Sequence, residues 1–97
     1  MSISTCYYYI DKYNDLKINL DRAASKLDTT VAYLNKVKDQ INENYEVNNS
    51  VSPISHKIND KVKSLREISS YLTGTVSYSI DYHIRELRRE IQEQQQQ

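Results

Sequence analysis

A chain of 97 residues holds one domain at most, and a domain this short is often only marginally stable alone. Its single Gly and single Pro leave little material for turns, and with no Phe or Trp every aromatic is one of nine Tyr, a residue suited to half-wet contact surfaces. Thirteen basic residues balance thirteen acidic ones without a block of either sign. That balance argues against a nucleic-acid surface or a basic membrane-surface helix.

The first fifteen residues, MSISTCYYYIDKYND, lack the basic start and apolar stretch of a cleaved signal peptide. From Tyr13 onward apolar residues recur every three or four positions: Tyr13, Leu16, Leu20, Ala23, Leu27, Val31, Leu34, Ile41 and Tyr45, with Tyr9 on the same side. This spacing predicts an amphipathic helix over about 4–46, with Lys38 its clearest interruption. At 1.5 Å per residue such a helix is ~60 Å long.

The stretch NNSVSPIS, Asn48–Ser55, breaks the pattern and predicts a turn over about 47–53. Ser52 is placed to cap a following helix, with Pro53 in its first turn. A second helix is expected over about 54–93. Ile54, Leu65, Val76 and Leu87 are spaced by eleven, as are Ile58, Ser69, Ile80 and Ile91, which is close to three helical turns. That spacing carries one register across Gly74, with a kink expected near Leu72–Val76. The glutamines 94–97 have nothing to bury and are expected to fray.

Two long helices joined by a short turn predict an all-α antiparallel helical hairpin. A lone hairpin covers one side of each helix, so completion of a bundle by a partner is expected. Turning 100° per residue, Tyr78 and Tyr82 point nearly opposite to Val76, Ile80, Ile84 and Leu87, and Tyr71 leans the same way. Tyr33 and Val37 lie off the stripe of the first helix. These five residues are the candidate partner interface, since Tyr is enriched at interface cores. Against this stands the ordinary occurrence of scattered surface aromatics.

Little points to catalysis. Cys6 is the only cysteine, which excludes an internal disulfide or a multi-thiolate zinc cage. No base stands out to activate it. His56 and His83 fall far apart along a hairpin, and His83 with Glu86 makes only two potential ligands where a metal needs three or more. There is no glycine-rich phosphate loop and no apolar run of membrane-spanning length. A helix hairpin also offers no obvious concave pocket. The expectation is a protein that is not an enzyme, without cofactor or metal, and not inserted in a membrane.

The stretch SSYLTGTVSYSIDYHIRELRREI, Ser69–Ile91, contains a Tyr-x-x-x-acid pair at Tyr82 and Glu86. Together with the two-helix layout it resembles the WXG100-like proteins of bacterial type VII secretion. It looks closer still to the small helical accessory proteins of LXG-domain toxins. The Trp-x-Gly turn of that family is absent: Leu72-Thr73-Gly74 has an aliphatic in the Trp place and lies inside a helix. The resemblance implies a partner and targeting factor that binds the helical N-terminal region of an LXG toxin, with room for a second small helical protein. It also implies residence in the cytoplasm before export, with release through type VII secretion without a cleaved signal as an option. Tyr82 and Glu86 are then the export-signal candidates. Two of the nine tyrosines have an acid four residues on, and with 13 acids in 97 residues chance supplies about one, so position rather than pattern gives the pair its weight. Tyr7–Asp11 lies at the opposite end. The competing readings are a homodimeric coiled-coil adaptor and an immunity-type protein that caps a toxin's catalytic domain.

Overall fold

The computed structural model describes residues 1–44 and 51–97, and every described element is helical. Helix α1 spans Ile3–Asn44, α2 spans Val51–Ser70 and α3 spans Ser77–Gln95. A π-helical turn, Tyr71–Val76, carries α2 directly into α3. The expected all-α class with two long helical runs holds. The chain divides into two compact units, one made of residues 1–22 and 71–97, the other of residues 23–70.

In the first unit Cys6 and Ile10 of α1 pack with Ile80, Ile84 and Ile91 of α3, all buried. Ile3, Tyr13, Leu20, Val76 and Leu87 pack around them. Burying an aliphatic side chain of this size stabilises by ~1.5–3 kcal/mol, so the four isoleucines dominate this unit. Lys17 Nζ donates to Asp81 Oδ1 at 2.6 Å, and the Tyr13 ring stacks on His83 with centroids 5.7 Å apart. Numbers rising on α1 meet numbers falling on α3, which is antiparallel pairing.

The second unit pairs the rest of α1 with α2, also antiparallel. Ser69 Oγ donates to Asp28 at 3.2 Å, Lys38 Nζ to Asn59 at 3.1 Å, and Ser55 Oγ to Asn42 at 2.8 Å. Its buried positions are Ala24, Val31, Val62 and Ser69, with Leu27, Leu34, Ile58 and Leu65 half-buried. Smaller and more polar inward side chains give it less apolar burial than the first unit.

The inward positions of α1 step alternately by three and four from Ile3 to Ile41 without interruption. This is the seven-residue repeat of helices that pack in a shallow left-handed coil. Lys17 and Lys38 occupy inward places in that repeat, each half-buried and each hydrogen-bonded across to the facing helix. On the second run the same alternation holds through Ser55, Ile58, Val62, Leu65, Ser69 and Leu72. Three successive steps of four then follow, Leu72–Val76–Ile80–Ile84, before alternation resumes at Leu87, Ile91 and Gln94. One extra residue has entered. A π turn bonds i to i+5 and so accommodates one residue more than an α turn. The side-chain pairs agree: three heptads before Lys38, Lys17 makes the same kind of contact, but its partner Asp81 lies one residue beyond three heptads from Asn59. Thr73, Gly74 and Thr75 fill the turn, and β-branched residues and Gly are poor α-helix formers.

The structure corrects several sequence expectations. The register across Gly74 is not one unbroken α-helical register, because eleven-residue spacing fits both a regular helix and a heptad with one inserted residue. Leu16 and Ile54, read as inward, are exposed, as is Tyr9. Ala24, beside the expected Ala23, is the buried alanine. The repeat is seven residues rather than the mixed spacing taken from the apolar residues alone, and the inward lysines had hidden it. Because α2 already begins at Val51, Ser52 falls within the first turn instead of before it, although its side chain lies outside the described residues. Most of the predicted turn and the last two residues of the predicted first helix, 45 and 46, with Tyr45 among them, also lie outside the described residues. The glutamines expected to fray are in part helical: α3 runs to Gln95, and half-buried Gln94 lies within hydrogen-bonding reach of Glu90.

Candidate protein-interaction surfaces

The outward tyrosines of the second helical run belong to the first unit. Tyr71, Tyr78 and Tyr82 are 58%, 69% and 49% exposed, whereas Ile80 and Ile84 on the same run are buried. The run thus has an aliphatic face against α1 and a tyrosine face turned away, as the helical wheel implies. The face is partly organised by its own neighbours. The Arg85 guanidinium lies over the Tyr78 ring at 5.9 Å, and Tyr82 meets His83 edge-on at 5.7 Å. Tyr and Arg are the side chains that most often anchor protein contacts, and a stacked guanidinium keeps a ring in place at low entropic cost.

Glu86 follows Tyr82 by one turn but does not share its exposure. It is half-buried and hydrogen-bonds Arg89. A reader of the Tyr82–Glu86 pair would meet the Glu86 carboxylate already engaged. Tyr33 and Val37 lie in the second unit and are exposed, 66% and 43%. The five interface candidates therefore divide between the two units.

Open grooves run along both flanks of the first unit, where the sequence suggested no concavity. One, about 560 Å³, lies between Tyr9 and Tyr13 on α1 and His83, Leu87 and Glu90 on α3. The other, about 480 Å³, lies between Tyr7 and Asp11 on α1 and Arg88 and Gln92 on α3. Both are the furrows left where two cylinders meet. Among the described residues no three His, Cys, Asp or Glu side chains converge as metal ligands, and no helix is long and apolar enough to cross a membrane.

Cys6 is fully buried in the isoleucine core. Burial pushes its thiol above the ordinary value, and the neighbouring Glu90 carboxylate pushes it further the same way. A neutral, enclosed thiol is a poor nucleophile. Its role here is that of a small apolar side chain.

The sequence pattern located the tyrosine face because alternation of aliphatic and Tyr positions survives in the helical wheel. It missed Ile68, exposed on α2, because a lone isoleucine between Glu67 and Ser69 carries no periodic signal. In comparisons with protein-family models, curated proteins and solved structures, the chain matches none.

Proposed function

We propose that this chain is a non-enzymatic partner protein that binds the helical N-terminal region of an LXG-type toxin and helps direct it to type VII secretion. The observation that carries the reading is the two-faced second helical run, with isoleucines packed on α1 and Tyr71, Tyr78 and Tyr82 left exposed. Exposed tyrosines at helical spacing suit the insertion of a further helix beside a two-helix pair. The link to LXG toxins rests on the resemblance of Ser69–Ile91 and of the helical layout. Within this reading Tyr82 offers the exposed ring of an export signal, and Glu86 contributes once its contact with Arg89 is released.

The continuous heptad of α1 supports a second reading, a self-associating coiled-coil adaptor. Solution mass separates the two. The chain is purified alone and then co-expressed with the product of the neighbouring large open reading frame. A defined complex with the N-terminal segment of that product, and no stable homodimer, is the expected result. A tight homodimer that ignores the neighbour would overturn the toxin-partner reading. Tyr78→Ala with Tyr82→Ala is expected to weaken the complex while leaving helicity and thermal midpoint nearly unchanged.

A further inference from the structure

The two flanks of the second unit differ in chemistry. Asp28, Asn42 and Asn59 each follow an inward residue by one position and so lie on one flank. All three accept hydrogen bonds from the facing helix. That flank is closed by polar pairs. Val37, Ile54 and Ile68 each precede an inward residue by one position, namely Lys38, Ser55 and Ser69. At 100° per residue they turn to the opposite flank. They are exposed, and Tyr33 lies one turn before Val37 at the outer rim. A row of apolar side chains on one flank only is the mark of an unfilled seat for another helix.

The charges bordering that seat are of one sign. Lys26, Lys57 and Lys61 stand on this flank and its rim, all exposed and none in an ion pair among the described residues. No acidic residue among the described residues joins them; the acids of α2, Asp60 and Glu67, fall on its back. Packing this flank against the same flank of a second copy about a two-fold axis would set lysines against lysines.

We infer that the Tyr33–Val37–Ile54–Ile68 flank docks an amphipathic helix of another protein whose apolar stripe is bordered by Asp and Glu. This rests on the partner-protein reading and adds to the tyrosine face of the first unit a second surface with its own chemistry. Apolar contacts would supply most of the affinity, and the lysines would select sign and register.

Two designed helical peptides with the same heptad leucine stripe test it, one bordered by Glu and the other by Lys. Each is titrated into the full chain by fluorescence anisotropy. The Glu-bordered peptide is expected to bind at least about tenfold tighter, with the preference shrinking as salt rises. The double variant V37Q/I68Q is expected to lose that binding while keeping its helical circular dichroism and thermal midpoint, because both side chains are exposed. Equal binding of the two peptides, or binding that survives V37Q/I68Q, overturns the inference. So does light scattering that finds a dimer of the free chain converted to monomer by V37Q/I68Q, since the occupant is then a second copy. A toxin complex indifferent to V37Q/I68Q removes this surface and leaves the partner reading standing; a wild-type chain that binds no toxin segment removes the partner reading itself.

Discussion

Deleting a single residue ought to unfold half of a heptad-packed helix, unless the deletion falls where the helix already holds one residue too many. Between Leu72 and Ile80 the second run spends two steps of four where the repeat asks for four and three. Removing Ser77 restores alternation from Ser69 to Gln94, with Leu72, Val76, Ile80, Ile84, Leu87 and Ile91 all still inward. The π turn then closes to an α turn, and no apolar contact is given up. The expected change in unfolding free energy is within ~1 kcal/mol, the scale of a local backbone adjustment. Removing Arg85, which is itself exposed, is a different matter. Leu87 and Ile91 would each turn by ~100° off the core face. One half-buried and one buried aliphatic lost at ~1.5–3 kcal/mol apiece amounts to roughly 3–5 kcal/mol. That is a large part of the 5–15 kcal/mol typical of a domain. Urea unfolding followed by circular dichroism measures both variants. A Ser77 deletion as damaging as the Arg85 deletion would refute the assignment of the π turn as the site of the extra residue.

Four further outcomes follow from the same geometry. Gly74 has no positive φ, and an added Cβ would meet nothing within 4 Å, so Gly74→Ala is expected to raise stability by up to ~1 kcal/mol, read as an upward shift in urea midpoint. The raised Cys6 pKa means that the unfolded chain releases the thiol proton before the folded chain does. Stability from this group is therefore full below the ordinary thiol value of 9.0 and declines as pH climbs from there through the higher folded value. Urea midpoints at pH 8 and 10 should fall more for the wild type than for Cys6→Ala, which lacks the thiol but shares every tyrosine. Asp81→Ala removes the partner of Lys17 at a site about two-fifths exposed, so a loss of ~0.5–1 kcal/mol is expected. Lys17→Met is expected to be near neutral by the same measurement, because an apolar side chain suits an inward heptad position.

Much of the architecture was already legible in the sequence. Scarce Gly and Pro, a long amphipathic pattern, one Pro-containing break and a second pattern suffice for two helical runs, because helix periodicity is a local property of the chain. The tyrosine face was legible for the same reason: Tyr78 and Tyr82 oppose Ile80 and Ile84 on any α-helical wheel. What remained hidden depends on the facing helix. Lys17 and Lys38 look like solvent residues until Asp81 and Asn59 are placed opposite them, so the heptad of α1 was seen with gaps. Leu16 and Ile54 look like core until the antiparallel pairing turns them to a flank. The extra residue at Tyr71–Val76 was invisible because Ile80 and Ile91 keep eleven-residue spacings whether or not a π turn intervenes. Hydrophobicity and helical spacing are carried along the chain, so most of the residues available for burial could be read from it. Which of them are in fact buried depends on the facing helix, because burial needs a second surface and the pairing of two helices sets the register.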